Sequence, residues 1–464
     1  MKPPRACLAL PLAWALAALP SGAWALDLMD AWRAALTHDP AYAAARAAHA
    51  AGRTQERQAD ALWRPSLALQ AGAGAAYADS ATRGARFAAP GFGNVNGGVA
   101  FDTSIHGGAA TQAGIELRQP LFDRERDAQA QQLRLGAQQA DLAWDDAQAE
   151  LMQRTAERYF DLALAGEQLR LIGRQLDAVS RAQAEAKDRF ALGDQPVTGV
   201  HEATARAEAL RAQQLAAQAQ VELRRAALAE LTGLPPAQID ALALPARLPE
   251  AADVGELAPW LDRVTEQSAQ VRAAEVGLSR ARQQARKTEL ALSPTVDLVA
   301  RAAREQLSGS GAFGGASSRQ TQGMVGVQLN LPLDVSGARA ARRDEAAAQI
   351  GQALAELDRA RQEAAQQTRA AWFGLSTGGG QVAALAAASQ ASQARLDATR
   401  TGQQAGERTT LDLLNAENDA AAAQLALAQA RVQVHLDGLR LARLAGALDE
   451  ARLQRLNAAL SVER

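Results

Sequence analysis

Residues 66–77 read SLALQAGAGAAY, and this stretch decides the fold class. Leu67, Leu69 and the odd-numbered positions after them are apolar, whereas Ser66, Gln70 and glycines stand between them. A period of two is typical of a β-strand with one apolar face. Three further stretches repeat this pattern, namely 112–118 (QAGIELR), 295–301 (TVDLVAR) and 325–331 (VGVQLNL). The sequence therefore predicts four strands, each with bare aliphatic side chains on one face.

The start of the chain has the pattern of a secretory signal. Lys2 and Arg5 precede an apolar run at 7–19, and residues 23–25 (AWA) form a small-residue cleavage site. We predict a signal peptide at 1–25. A membrane anchor is the alternative, but the apolar run is shorter than the ~20 residues that a span needs. The single cysteine, Cys7, would leave with this segment and lies too early to be a lipidation site.

Two interpretations fit the four strands. A half-buried sheet of a soluble protein shows the same alternation, and for one strand alone it is the simpler interpretation. Four such strands in an exported chain favour a transmembrane β-barrel. Four strands do not close a barrel, because single-chain barrels start at about eight, and an open sheet leaves unpaired edges in lipid. The barrel interpretation therefore requires several copies of the chain.

The sequence also repeats internally. Residues 190–193 (FALG) match 403–406 (QQAG) in position at an offset of 213. The offset is 229 at Pro65 and Pro294 but 212 at Pro120 and Pro332, so the first half has about 17 extra residues between these prolines. We place them in the Gly/Asn-rich stretch 79–110. Chance coincidence of Gly and Pro positions is the alternative, but a length difference confined to one segment favours duplication.

This repeat predicts the organisation of the chain. After the signal peptide, a first structural repeat at 26–247 has strands near 66–78 and 111–122 and a long helical hairpin at 123–232. The second repeat, at 248–464, has strands near 295–303 and 322–333 and a hairpin at 336–446. Each repeat reads helix, two strands, long helix, turn, helix.

Composition supports long, closely packed helices. Hydrophobic residues make up 48% of the 464 residues but aromatic residues only 4%, and alanine accounts for most of the apolar count. The stretches 123–191 and 336–403 contain no proline, and at 1.5 Å per residue each would extend about 100 Å. Such length requires coiled-coil-like packing. Gly166 and the glycines at 378–380 predict a break or kink part-way along.

The sequence lacks the signatures of several functions. A net charge of −2 argues against a nucleic-acid binder, and the 5 histidines are too scattered to predict a metal site. Neither G-x-x-x-x-G-K-[ST] nor G-x-S-x-G occurs. Residues 309–314 match G-x-G-x-x-G, but a dinucleotide site needs a helix there and 317–322 leads into a strand. We therefore expect no cofactor, no metal and no catalytic residues.

Taken together, these features resemble the TolC family of outer-membrane export channels. The segments that carry the likeness are 27–40, 119–122 (QPLF), 331–333 (LPL), Phe190-x-x-Gly193 and 405–416 (AGERTTLDLLNA), in this order. The resemblance covers essentially the whole mature chain. It implies a mainly α-helical homotrimer with a small transmembrane β part, in which each copy gives four strands to a 12-stranded β-barrel continued by a periplasmic α-helical barrel.

The resemblance also implies location and partners. The chain would lie in the outer membrane of a Gram-negative cell and extend into the periplasm. Loops at 79–110 and 303–321 would face outside the cell, and the hairpin-tip turns at Gly193 and Gly406 would form the periplasmic end. Implied partners are a periplasmic adaptor (membrane fusion) protein, an inner-membrane ABC or other efflux transporter, outer-membrane lipid, and an exported protein or small molecule.

Two sets of functional residues follow from the resemblance. The first is a ring of carboxylates at the periplasmic entrance. Its two acidic positions correspond to Asp412 and Asn415, so only one of the two is acidic in this chain. The second is the network that closes the tip. Arg408 matches its arginine and Thr198 its acceptor, whereas Gln403 and Gly199 replace a tyrosine and an aspartate, so the lock is only partly present.

Simpler roles for these residues remain open. Thr409-x-x-Asp412 also matches a capping box at a helix start. Arg408 fits an ordinary exposed residue, and Gly193 and Gly406 fit helix C-terminal positions that need a left-handed backbone.

The function predicted from these observations is a passive exit duct of type I protein secretion, driven by an inner-membrane transporter and an adaptor. The outer-membrane component of a tripartite drug or small-molecule efflux pump is the first alternative. A periplasmic coiled-coil adaptor without a pore is the second, but it leaves the four strands unexplained. An exported enzyme lacks any catalytic constellation in the sequence.

Overall fold

A computed structural model describes residues 26–89, 93–194, 196–239, 242, 244, 255–311, 314–333 and 337–461, with only the backbone of 85–89 and 93–101. The predicted signal peptide at 1–25, and Cys7 within it, lie outside the described residues. The proposed junction between the two repeats, at 247 and 248, lies outside them as well.

The described elements occur twice in the same order. The first set is α1 (Leu28–His38), α2 (Pro40–Ala61), β1 (Ser66–Ala89), β2 (Gly93–Phe122), α3 (Arg124–Ala191) and α4 (Val197–Thr232). The second set is α5 (Leu257–Gln267), α6 (Ala269–Leu290), β3 (Thr295–Gly311), β4 (Gly314–Asn330), α7 (Ala338–Gln404) and α8 (Thr410–Leu444), followed by α9 (Glu450–Ser461). Matching helices have nearly equal lengths, with α3 at 68 residues against α7 at 67, and α4 at 36 against α8 at 35. The predicted duplication is confirmed.

Local chemistry fixes the boundary between α1 and α2. Pro40 lacks the backbone N–H that a continued helix needs, but it fits the first position of a new helix. Asp39 accepts a hydrogen bond from the Tyr42 backbone N–H at 3.1 Å, as an N-terminal cap does. The same buried carboxylate pairs with Arg154 of α3. The cap thus also attaches the start of α2 to the long helix.

The four strands form one antiparallel sheet in the order β1-β2-β3-β4. Its register aligns Leu67, Leu117, Ala300 and Val325 in a single row across all four strands. Leu67 is 68% exposed and Val325 is 76% exposed, whereas Asp297 of β3 is only 2% exposed. An exposed apolar face and a buried carboxylate reverse the pattern of a soluble protein.

Charged side chains of the sheet pair with one another across strands. Arg301 of β3 donates to Glu116 of β2 at 2.6 Å, and Arg118 of β2 pairs with Asp297 of β3. The polar side predicted from the sequence falls on even-numbered positions in β2 and on odd-numbered positions in β3, and these four residues occupy those positions. The predicted alternation between an aliphatic face and a polar face is therefore present in the sheet.

The strands are much longer than predicted. The segments 79–110 and 303–321 were expected to be loops. Instead, β1 continues to Ala89 and β2 begins at Gly93. Likewise, β3 continues to Gly311 and β4 begins at Gly314. This expectation was wrong because ladder hydrogen bonds use the backbone alone, so small and polar residues pair as well as apolar ones. The extra residues lengthen β1 and β2 to 24 and 30 residues, against 17 for β3 and for β4.

The helices also continue where a break was expected. α3 runs through Gly166, and α7 runs through Gly378 and its two glycine neighbours without interruption. A Cβ placed on Gly378 would collide with the side chain of Val434 in α8, and one on Gly374 would collide with Asp437. These two glycines therefore allow α7 and α8 to approach closely.

The described chain forms two compact units. One contains the sheet with α6, α2 from Ala44 onward, α5 from residue 262 onward, and the parts of α3 and α7 up to residues 146 and 366. The other contains α1, α4, α8, α9 and the remaining parts of α3 and α7. The core of the latter includes the fully buried Phe160, Leu228 and Leu441. Each unit thus takes material from both repeats.

Among the residues that the structure describes, none of the helices combines the length and the apolar composition needed to cross a membrane.

Two adjacent glycines test the close approach of α7 and α8. Gly378→Ala should destabilise the protein by ~1–3 kcal/mol because the new methyl group overpacks against Val434. Gly379→Ala is the matched control, because a Cβ there meets nothing within 4 Å. It should stabilise the helix by up to ~1 kcal/mol, since alanine is the better helix former. Denaturant unfolding of the detergent-solubilised protein measures both, and equal effects would contradict the packing argument.

Candidate functional site at the helical hairpin tips

The two hairpins turn through the same backbone motif. Gly193 has φ of 82° and Gly406 has φ of 81°, a left-handed conformation that glycine adopts without strain. In the first turn, Asp194 N–H donates to Arg189 C=O at 2.9 Å and Gly193 N–H donates to Phe190 C=O at 3.0 Å. This pair of bonds is the Schellman motif, which satisfies the last carbonyls of α3.

The second turn repeats the motif. Glu407 N–H donates to Gly402 C=O at 2.8 Å and Gly406 N–H donates to Gln403 C=O at 3.1 Å. Both glycines therefore have a structural task, whatever else the tips do.

Asp412 closes a complete capping box at the start of α8. The Asp412 backbone N–H donates to Thr409 Oγ1 at 3.1 Å, and the Thr409 N–H donates to Asp412 Oδ2 at 3.0 Å. The Thr409 hydroxyl donates to the same oxygen at 2.9 Å. These bonds to Thr409, backbone first, lower the pKa of Asp412 below its ordinary value, and the nearby charge of Arg408 adds to the effect. The carboxylate is thus ionised at neutral pH and held in a fixed position.

The open face of α8 carries both predicted ring residues. Asp412 is half-exposed and Asn415 is exposed, and their spacing of three residues places them on one side of the helix. Leu414 and Ala416 are buried in two separate clusters. One cluster joins α8 to α3 and α4 and the other joins it to α7. Asn415 is therefore exposed between two buried positions, whereas Asp412 is four residues before Ala416 and half-exposed at the start of the helix.

The predicted pair of the tip network is not joined within one chain. Arg408 and Thr198 are both exposed, and no hydrogen bond or ion pair of the described residues connects them. The Arg408 backbone N–H donates to Gly402 C=O at 3.2 Å, and the Gly199 N–H donates to Pro196 C=O at 3.2 Å. Both bonds belong to the local turns, so neither hairpin uses these residues to hold the other.

Gln403 makes a different contact, which the sequence did not predict. Its side-chain amide donates to Glu185 Oε1 at 3.4 Å, and Arg189 pairs with the same carboxylate at 2.7 Å. The contact joins the end of α7 to the last turns of α3. A sequence signal existed, because Glu185 and Arg189 are spaced as an i,i+4 ion pair just before the Gly193 turn.

Further from the tip, ion pairs join α7 to α8. Arg395 contacts Asp419 at 2.5 Å, and Arg400 contacts Glu417 at 3.5 Å. Burial raises the pKa of Glu417, and the nearby Arg400 only partly opposes the rise. These pairs fix the spacing of the second hairpin.

The structure also bears on cofactor and metal binding. In the described ranges, no group of three or more His, Cys, Asp or Glu side chains is placed to hold a metal ion. The G-x-G-x-x-G match ends at Gly314, where strand β4 begins, so the segment lacks the helix start that a dinucleotide site uses.

Comparison with known proteins places this architecture. A family model described as outer membrane efflux protein matches residues 31–234 and 260–447. The chain belongs to this family. It is 27% identical to the alkaline protease secretion protein AprF of Pseudomonas aeruginosa, over 93% of this chain and 87% of AprF. It is also 27% identical to the proteases secretion protein PrtF of Dickeya chrysanthemi, over 94% of this chain and 91% of PrtF.

A solved structure supports the fold. The outer membrane protein VceC of Vibrio cholerae superposes with a TM-score of 0.70 at 21% identity, over 91% of this chain and 97% of VceC. The predicted kinship with TolC-type channels is confirmed by these matches. The family consists of transport proteins, and the chain is an outer-membrane protein of a Gram-negative cell that extends into the periplasm.

The capping box predicts how the second tip responds to mutation. Thr409→Ala removes the oxygen that accepts the Asp412 N–H, so amides 409–413 should exchange about fivefold faster, equivalent to ~1 kcal/mol of local stability. Thr410→Ala, one residue along, leaves the box intact and should change little. Hydrogen exchange read by mass spectrometry on the tip peptide measures both variants, and equal rates would contradict the assignment.

The lowered pKa of Asp412 predicts the pH dependence of the same segment. A folded-state pKa below the ordinary 3.8 stabilises the tip above that value, and the stabilisation disappears as pH falls through the folded value. Protection of amides 409–413 should therefore be constant from pH 7 to about 4 and fall below it. Asp412→Asn should remove this acid-dependent step, and a step that persists in the variant would assign it to another group.

Proposed function

We propose that the chain forms the outer-membrane exit duct of a type I protein secretion system. The duct is passive, and an inner-membrane transporter together with a periplasmic adaptor supplies the driving force. The sequence lacks G-x-x-x-x-G-K-[ST], the motif of P-loop nucleotide hydrolases, in keeping with an energy source elsewhere. The exported substrate is a protein, because AprF and PrtF, which each align in sequence with more than nine-tenths of this chain, are both named for secretion of proteases.

The sheet is the observation that carries the channel part of this proposal. β1 and β4 each pair on one side only in the described chain, so the sheet has two open edges. In lipid each unpaired backbone group costs several kcal/mol, so the edges need partners. Three copies joined edge to edge give twelve strands, within the range of known barrels. The exposed row that contains Leu67 and Val325 then faces the hydrocarbon.

The helices supply the periplasmic part. At 1.5 Å per residue, the 68 residues of α3 and the 67 of α7 each extend about 100 Å. Three copies of these helices, with their shorter partners α4 and α8, would enclose a tunnel that continues the barrel. The adaptor and the transporter would meet this tunnel at the hairpin tips.

The tips then act as the entrance. Asp412 and Asn415 from three copies would surround a narrow axis, and the three carboxylates would concentrate a negative potential there. Arg408, Thr198, Gln403 and Gly199 lie at the tips of the two hairpins and would close the entrance through contacts between copies. The contact from Gln403 to Glu185 lies within one chain and is available before assembly.

Electrical recording tests the duct. The protein is extracted from outer membranes and added to planar lipid bilayers, where we expect discrete single-channel conductance steps from a trimeric species. A monomeric protein without conductance would refute the channel proposal and favour the adaptor alternative.

Secretion in cells tests the substrate class. In a bacterium whose protease exporter lacks its own outer-membrane component, expression of this chain should restore protease activity in the medium. Restored tolerance to small toxic compounds without restored protease export would instead support the efflux-pump alternative.

The entrance ring makes a separate prediction. Asp412→Ala should lower cation selectivity and weaken block by multivalent cations, because the only acidic residue of the proposed ring is removed. Thr409→Ala is the control, since it disrupts the cap but leaves the carboxylate. Reversal potentials in asymmetric salt measure selectivity. If both variants behave alike, the role of Asp412 is limited to capping.

A further inference from the structure

A basic cavity lies beside the end of the sheet. It has a volume of about 480 Å³ and opens where the end of α6, the start of α7 and the segment after β4 meet. Its cationic side chains are Lys287 of α6 and Arg339 and Arg342 of α7, and its acidic side chains are Glu125 of α3 and Glu345 of α7. Among the described residues that line this cavity, cations therefore outnumber carboxylates.

The start of α7 increases this imbalance. Its first turn contains Arg339 but no acidic residue, although helix N-termini favour negative charge. Among the contacts of Arg339, its guanidinium donates to the backbone carbonyl of Glu289 at 3.4 Å. Arg342 lies one turn further along the same wall and is exposed. An anion in the cavity would meet positive charge from both helices.

An apolar row of side chains leads from the sheet to this cavity. Val325, Val327 and Leu329 are exposed on the aliphatic face of β4. Beyond the end of β4, Leu331 is also exposed, and Leu333 is 80% exposed and lines the cavity. Exposed aliphatic side chains therefore occur from β4 up to the cationic site. A ligand that matches both parts has an anionic head and hydrocarbon chains.

We propose that the cavity binds the headgroup of an anionic phospholipid, with the acyl chains lying along the apolar row of β4. Arginine suits this task because its planar donors match phosphate oxygens, and Lys287 adds a further positive charge. The inference rests on the proposed function in one respect, namely that the sheet crosses the bilayer. It assigns the lipid contact to a defined set of residues.

Lipid binding to the purified full-length protein tests the site. Native mass spectrometry in a neutral detergent titrates phosphatidylglycerol and, in parallel, phosphatidylcholine, with inorganic phosphate as a competitor. We expect preferential binding of phosphatidylglycerol that equimolar inorganic phosphate does not displace. Arg342→Gln should weaken it about fivefold, and Lys287→Gln combined with Arg342→Gln about 25-fold, as expected for the loss of one and two basic contacts.

Two variants serve as controls. Arg343→Gln removes the same charge from the next residue of α7, which is exposed and does not line the cavity, so binding should stay at the wild-type level. Arg342→Lys keeps the charge and should retain most of the affinity. A general surface-charge effect would weaken Arg343→Gln as much as Arg342→Gln and would overturn the proposal.

Other outcomes assign the cavity to another occupant and likewise overturn the proposal. Displacement by inorganic phosphate would make it a free-anion site. Dissociation of the oligomer in Arg342→Gln with unchanged lipid binding would make it a contact between copies. Conductance recorded on the same variants separates this inference from the proposed duct. Normal conductance with a lost preference for phosphatidylglycerol supports the lipid site. Absent conductance in the unmodified protein refutes the duct, and the lipid-binding comparison between variants can still be interpreted.

Discussion

The pairing of backbone groups in a sheet with an exposed aliphatic face is the constraint on which the rest of this structure depends. Leu67 and Val325 lie at the two ends of one side-chain row and are exposed, while Asp297 is buried and paired with Arg118. Such a sheet is unfavourable in water, because aliphatic surface stays hydrated. It becomes favourable in lipid only if the edges of β1 and β4 find partners. The proposed assembly into several copies therefore rests on this one sheet.

The helices satisfy a second constraint, which is length without a conventional core. In a helix of 68 residues, close contact with a neighbouring helix needs small side chains at the contact points. Gly374 and Gly378 show the consequence, since α8 occupies the space that their side chains would fill. The ion pair between Arg395 and Asp419 adds polar contacts at the helix surface. The low aromatic content of the chain has the same origin.

The hairpin tips show how one set of hydrogen bonds sets both the local structure and the charge of a side chain. Asp412 binds Thr409 and so fixes the first turn of α8, and the same bonds keep its carboxylate ionised. Its neighbour on the open face, Asn415, carries no charge. Within one chain, Gln403 contacts Glu185, while Arg408 and Thr198 remain on the surface. The proposed lock therefore depends on contacts that form between copies.

The sequence alone determined the duplicated order of elements, because corresponding glycines and prolines recur in both halves. Their offset changes at one segment only, although the residues between them differ. It also determined the aliphatic face of each strand, since a period of two leaves no choice of side. Tertiary structure decided the length of the strands: the segment 79–110 reads as loop, yet the backbone of 79–89 pairs with residues from 93 onward. It also decided that α7 continues through Gly378, where α8 packs closely, and that Gln403 meets Glu185. Those outcomes depend on which part of the chain packs opposite each residue. Residues that are far apart in sequence form these contacts, so local composition does not predict them.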